Sequence, residues 1–265
     1  MLEDDFTYVL RKAFKGLALA PGEAALRAGL AESAVLGLSR GNFSPDVARG
    51  LAPVLGLDPA ALADHPNYHP RPQSVRGIHR LELPFGEDGV NAWRITAGAT
   101  AILFDTGDDS VSCRRALQDL NLSPPNQVFI THGHGDHIGG ISAFLEMGLP
   151  VYGPSIAGIS DLTAGTTIDC GPSILRTWDL SGHFTPSLGY QVDGLEVPVF
   201  VTGDALFAGS MGGCNSPERY QHALDRLHAV LDPLPGETVI LPGHGPATTL
   251  GEERRGNPFF AARRG

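Results

Sequence analysis

The stretch that decides the fold is "THGHGDHIGG", Thr131–Gly140, which follows directly on the apolar run Gln127-Val-Phe-Ile130. Three histidines and an aspartate stand within six residues, interleaved with glycines. His132 and His134 lie two apart, so on an extended segment both side chains can face the same way. Asp136 and His137 follow and can turn towards a second point. Gly133 and Gly135 let the backbone bend tightly without Cβ clashes. Such a string is either an accidental surface loop or half of a metal site, and further ligands downstream decide between the two.

Those ligands are present. Five of the ten histidines fall in these segments: His132, His134 and His137, then His183 in "SGHFTPSLGY" and His244 in "LPGHGPATT". Between the last two, "VFVTGDALFAGS" places Asp204 at the end of a strongly apolar strand, exposed by the glycine before it. The sum is seven candidate ligands, five imidazoles and two carboxylates. One tetrahedral zinc uses four; seven suit two metals that share a carboxylate.

The rest of the chain bounds what such a site can serve. With 265 residues, 42% hydrophobic and 18% charged, the composition is that of a globular protein able to bury a sizeable core. A formal charge of -10 argues against a large nucleic-acid or anionic-membrane surface. The opening "MLEDDFTYVL" has no basic segment followed by an apolar one, so no signal peptide is expected, and no apolar run approaches the ~20 residues of a membrane span. Cys113, Cys170 and Cys214 are odd in number and far apart, which suits buried or free thiols in a reducing compartment. The expected location is the cytoplasm.

Two parts are legible. Residues 1–63 read as short helices, with Leu10, Ala13, Phe14 and Leu17 at helical spacing and Pro21 opening the next segment. A helix, a turn at Gly29, a second helix over 32–40 and a third over 47–55 follow. Asp64–Gln73, "DHPNYHPRPQ", carries three prolines in ten residues and reads as an extended linker. Residues 74–265 then alternate strands with single helices. Strands are expected in "SVRGIHRLELPF", "NAWRITAG", "TAILFDTG", "NQVFITH", "SILRTWDL", "SLGYQV", "VPVFVTGD" and "ETVILPGHG", and helices in "SVSCRRALQDL" and over 217–231. This is a mixed α/β (α+β) architecture.

"EAALRAGLAESAVLGLSRG" resembles a helix-turn-helix, which raises the question of DNA. Residues 1–70 hold six Lys/Arg (11, 12, 15, 27, 40, 49) against eight Asp/Glu (3, 4, 5, 23, 32, 46, 58, 64). The second helix offers Glu32, Ser33, Ser39 and Arg40 among Ala, Val, Leu and Gly, poor in the groups that read bases or bind phosphate. An accessory role, or a homodimer through these helices, is expected instead of nucleic-acid binding.

The order HxHxDH, GH, GD, GHG resembles the metallo-β-lactamase fold superfamily from about Ser74 onward, and "THGHGDHIGG", "TGDALFAGS" and "PGHGPATT" look most like short glyoxalase II-like hydrolases. The resemblance implies a four-layer αββα sandwich with two divalent ions at one edge, zinc first and iron or manganese as alternatives. It implies one metal on His132, His134 and His183, a second on Asp136, His137 and His244, and Asp204 bridging, with Asp136 and Asp204 the carboxylates of the catalytic centre. Asp105, in "LFDTG", would orient a ligand histidine. Two ions bring a shared water close to ionisation at neutral pH, so that a bridging hydroxide attacks a thioester, lactone or related small acyl substrate. Alternatives are a mononuclear iron persulfide dioxygenase, which shares most of these ligands, and a DNA-binding regulator with a metal-domain sensor.

The sequence departs from the glyoxalase II pattern in one informative place. Gly213, in "AGSMGGCN", stands where a basic residue is usual, so the loop after Asp204 is expected to form a roomy, uncharged wall. Poor use of glutathione thioesters follows, unless the N-terminal helices or Arg254 and Arg255 supply a cation.

Overall fold

The computed structural model describes residues 1–72, 74–86 and 88–262. Gln73, at the end of the expected linker, Glu87, and residues 263–265 of the expected second part lie outside the described residues.

Five helices open the chain: α1 (Phe6–Gly16), α2 (Pro21–Ala28), α3 (Glu32–Ser39), α4 (Pro45–Leu51) and α5 (Pro59–Asp64). Asp5 caps α1 by accepting from Thr7 and Tyr8 backbone N–H groups, and Val9, Leu10 and Ala13 form its buried stripe. The single helix expected over 47–55 stops at Leu51 and tightens into a 3-10 turn, Ala52–Leu55. Pro53 has no N–H to donate to the preceding turn, which accounts for the change. The expected extended linker likewise contains a 3-10 turn, His65–Asn67.

Two six-stranded sheets follow. The first runs in spatial order β1 (Ile78–Phe85), β2 (Asp88–Ala97), β3 (Thr100–Phe104), β4 (Gln127–Phe129), β5 (Val151–Gly153) and β6 (Ser160–Asp161). The second contains β7 (Thr167–Cys170), β8 (Ser173–Asp179), β9 (Leu188–Asp193), β10 (Val199–Gly203), β11 (Val239–Pro242) and β12 (Thr248–Thr249), in consecutive order. Helices α6 (Ser110–Asp119), α7 (Gly135–Ile138) and α8 (Ile141–Glu146) belong to the first half. Helices α9 (Pro217–Leu231), α10 (Leu250–Gly256) and α11 (Pro258–Ala261) belong to the second.

The period of two along each strand builds four layers. Ile102 and Phe104 of β3, Phe129 of β4, Tyr190 and Val192 of β9, and Val199 and Val201 of β10 point into one core between the sheets. Their neighbours point outward: Leu103 and Val128 meet Cys113, Leu117 and Phe144 of α6 and α8. On the other side, Phe200 and Ile240 meet Tyr220, Leu227 and Leu231 of α9. Each such large apolar side chain contributes about 1.5–3 kcal/mol by burial. The N-terminal helices join this last cluster, Leu10, Leu51, Leu55 and Leu62 sharing it with Phe259 and Phe260 of α11. The first part of the chain is therefore packed against the outer helical layer of the second sheet.

Parallel pairing of β3 with β4, and of β10 with β11, uses α6 and α9 as crossovers. The carboxyl ends of these four strands come to the same edge of the sandwich. This is where loops of α/β folds place functional groups.

Candidate metal centre

All but one of the functional side chains leave those ends. Asp105 follows β3, the segment 131–137 follows β4, Asp204 follows β10 and His244 follows β11. His183 comes from the loop between β8 and β9. The two sheets are tied together at this edge: Leu188 N–H donates to Thr131 O at 2.8 Å, and Tyr190 Oη to Ile130 O at 2.5 Å.

The seven residues named from the sequence meet here as two groups, His132–His134–His183–Asp204 and Asp136–His137–His244, each with its ligand atoms within 4.8 Å of one another. In the first, His134 Nδ1 lies 3.0 Å from His132 Nε2 and 3.2 Å from His183 Nε2. In the second, His244 Nε2 lies 3.2 Å from Asp136 Oδ2. Asp204 stands between them. Its Oδ2 is 3.6 Å from His183 Nε2 and 3.6 Å from His244 Nε2, and its Oδ1 is 3.3 Å from His137 Nε2.

The far side of each ring explains why these nitrogens face inward. His183 Nδ1 is 2.7 Å from Gly213 O, His244 Nδ1 is 2.9 Å from Gly89 O and His137 Nδ1 is 2.8 Å from Asp105 Oδ2. Each is a donor to a pure acceptor, so Nδ1 carries a proton and Nε2 is the nitrogen left to face a metal. Thr131 Oγ1 donates to Asp105 at 2.9 Å, which leaves its oxygen to accept from His132 Nδ1 at 3.0 Å. Asp105 thus orients two rings, one directly and one through a hydroxyl. It does so from a left-handed backbone, φ 59, that non-glycine residues adopt at a cost of about 1–3 kcal/mol.

The electrostatics are those of a cation site. Burial alone would push the Asp204 carboxyl up, yet His137, His244 and His132 around it hold it well below the usual range. Burial opposes charge on His244, but Asp136 and Asp204 raise it to about 9. Burial, then repulsion from His137, pushes His132 down to about 2. His134 Nδ1 lies within 3.2 Å of the ring nitrogens of both His132 and His183, and the three cannot all be lone pairs or all carry protons without repulsion. The donor set, imidazole nitrogen and carboxylate oxygen, fits divalent transition metals. Two fully buried atoms in the middle, His137 Nε2 and Asp204 Oδ1, have no hydrogen-bond partner among the described residues. Buried polar atoms are normally satisfied, and a metal ligand is the exception these two suit.

A cleft of about 510 Å³ opens over the two groups, lined also by Glu3, Lys12, Phe85, Asp108, Phe207 and Gly213. Gly212 and Gly213 of the loop after Asp204 line the cleft without charge, and the cation beside them comes from the N-terminal helices: Lys12 of α1 lies against Gly213 and over the Phe207 ring. The arginines named as further cation sources point elsewhere. Arg254 Nη2 donates to the carbonyls of Leu231, Asp232 and Leu234, and Arg255 lines a different depression with Glu237 and Glu252.

Glu3 and Lys12 were not singled out from the sequence, nor were Thr131, Asn91 and Trp93. Asn91 Nδ2 donates to Pro242 O at 2.9 Å and to Gly245 O at 2.8 Å, and Trp93 Nε1 donates to Pro242 O at 2.7 Å. Together they clamp the His244 loop across the gap between the sheets. A polar Asn inside the apolar run "VNAW" is the signal that could have found the clamp. The three cysteines are free and buried, away from any disulfide geometry.

The metallo-β-lactamase superfamily pattern matches residues 85–148. An uncharacterized protein of Mycobacterium leprae is 30% identical over 199 residues, 62% of this chain and 89% of its own. Hydroxyacylglutathione hydrolase GloC of Haemophilus influenzae is 26% identical over 187 residues, 60% of this chain and 87% of its own. Among solved structures, the BLEG-1 B3 metallo-β-lactamase superposes with a TM-score of 0.57 at 27% identity, covering 69% of this chain and 99% of that one. The di-iron-bound form of TTHA1623 gives 0.51 at 27% identity, covering 67% and 98%.

Proposed function

The chain belongs to the metallo-β-lactamase superfamily, and we propose that it is a dinuclear metal-dependent hydrolase of small thioesters or related acyl compounds. The observation that carries the reading is the position of Asp204, whose two oxygens reach both ligand groups at 3.3–3.6 Å. A single-metal dioxygenase would need the first group alone. A complete second group, with its own carboxylate and its own anchored histidines, favours two ions. Similarity to a hydroxyacylglutathione hydrolase supports the thioester class, and similarity to a di-iron-bound protein keeps iron beside zinc as the ion.

When bound, the two ions bring a water close to ionisation at neutral pH and polarise the scissile carbonyl. The chain's own residues supply the rest. His132, His134 and His183 would hold one ion, Asp136, His137 and His244 the other, and Asp204 both. Asp105, Gly89 O and Gly213 O keep the rings in one tautomer, so no reorientation accompanies binding. Phe85 and Phe207 line the cleft and give it an apolar surface beside the ligand groups. Its volume suits a small acyl substrate.

Metal-loaded protein tested against thioesters, lactones, β-lactams and glutathione persulfide discriminates the readings. Hydrolysis of thioesters above the other esters and amides is expected. Oxygen consumption with the persulfide and no acyl hydrolysis would reject the proposal.

A further inference from the structure

Among the described residues lining the metal cleft, Lys12 is the one lysine or arginine, and it comes from α1 of the N-terminal helices. Its stem runs past Gly213: a Cβ there would lie 3.6 Å from Lys12 Cγ and 3.9 Å from Cε, so Lys12 packs along this glycine at ordinary contact distance. Its Nζ stands 4.8 Å from the centroid of the Phe207 ring and pairs with the buried carboxylate of Asp4. The side chain is 17% exposed, held by these contacts where it lines the cleft. An ammonium has three donors, and Asp4 engages it through one oxygen. Donor capacity remains for a ligand.

The other charged groups on the rim have the opposite sign. Glu3 Oε1 lies 3.9 Å from His244 Nδ1, and Asp108 lines the cleft beside Gly135. An anionic substituent on a substrate is therefore repelled at two walls and attracted at one. That asymmetry fixes an orientation as well as a preference.

We propose that Lys12 binds a carboxylate carried by the acyl substrate away from its scissile carbonyl, so that the N-terminal helices, through α1, select the substrate of the metal centre. This rests on the acyl-hydrolase reading above. Lys12 is a specificity residue and takes no part in the bond-breaking step.

The test compares metal-loaded wild type, Lys12→Met, Asp4→Asn, and the double variant, which leaves no buried carboxylate unpaired if the single Lys12→Met fails to fold. Calorimetric binding of succinate and of butyrate gives a readout independent of turnover. The kcat/KM ratio for a succinyl and a butyryl thioester of one thiol gives the second. A charge-assisted hydrogen bond implies a preference of about tenfold or more for the dicarboxylate in wild type, falling below about threefold in Lys12→Met and in the double variant. Asp4→Asn, which removes the competing carboxylate, should raise the preference, a change that a purely structural role for Lys12 would not produce. Equal loss for both ligands, or an unchanged preference in the double variant, would overturn the proposal. If neither thioester is cleaved while the Lys12-dependent preference for succinate persists, the anion site stands and the acyl-hydrolase reading fails.

Discussion

His137 Nε2 and Asp204 Oδ1 face each other 3.3 Å apart in the interior, and among the described residues neither has a hydrogen-bond partner. Both are tightly framed. A Cβ on Gly243 would lie 2.2 Å from Asp204 Oδ1 and 2.8 Å from His137 Cε1, so only glycine allows the His244 loop to pass this close. The opposite edge of His137 is fixed by Asp105, and the opposite edge of Asp204 looks towards His183 and His244.

Asp105→Asn should weaken metal binding without removing a ligand. The amide can still accept from one partner but no longer offers a charged acceptor to His137 Nδ1 and to Thr131 at once. The expected loss is about 10–100-fold in metal affinity or activity, as for other outer partners of ligand histidines. Competition with a chelator measures it. An unchanged affinity would mean that the His137 ring is held by packing alone.

The seven clustered residues were legible because each stands in a short glycine-rich motif at the end of an apolar strand, and the motifs occur in one order along the chain. The long strands were legible for the same reason as the layers: alternation in segments such as Ile78–Phe85 and Leu188–Asp193 survives several periods. The short strands Val151–Gly153, Ser160–Asp161, Thr167–Cys170 and Thr248–Thr249 show no period and were not read, whereas the equally short Gln127–Phe129 and Val239–Pro242 were legible from their apolar runs. Helix α7 begins at Gly135 inside the ligand motif and looked like loop. Lys12 reaches Gly213 only because the N-terminal helices share a core with α9 and α11. No local pattern around residue 12 encodes that docking.

The same docking gives a pH dependence. Tyr68 Oη, Thr248 Oγ1, Asn257 Nδ2 and Gly209 N all donate to the fully buried Glu253. Burial pushes its carboxyl up to about 7, against those hydrogen bonds. With an unfolded value near 4.5, the native state holds the proton longer than the unfolded chain. Stability should therefore fall as pH rises from about 4.5 to about 7 and level off above, by about 3 kcal/mol from this group. Glu253→Gln, whose amide can donate to the Tyr68 and Thr248 oxygens, should flatten that part of the Tm-versus-pH curve. An unaltered slope in the variant would place the pH dependence elsewhere.

The N-terminal helices should not read DNA. Exposed positions on α3 and in the turn after it are Glu32, Ser33, Arg40, Gly41 and Asn42, and the segment is net acidic, which leaves little counterion release to drive binding. No sequence-selective complex is expected at physiological salt. A salt-sensitive, sequence-selective shift in a titration with a random-sequence pool would contradict this.

The most direct measurement is metal stoichiometry in wild type and Asp204→Asn, by elemental analysis after reconstitution and removal of free ion. The expected result is close to two ions per chain in wild type, with occupancy of both groups reduced in the variant, because one carboxylate serves both. One ion per fully loaded wild-type chain, or two ions retained in Asp204→Asn, would contradict a carboxylate-bridged dinuclear centre.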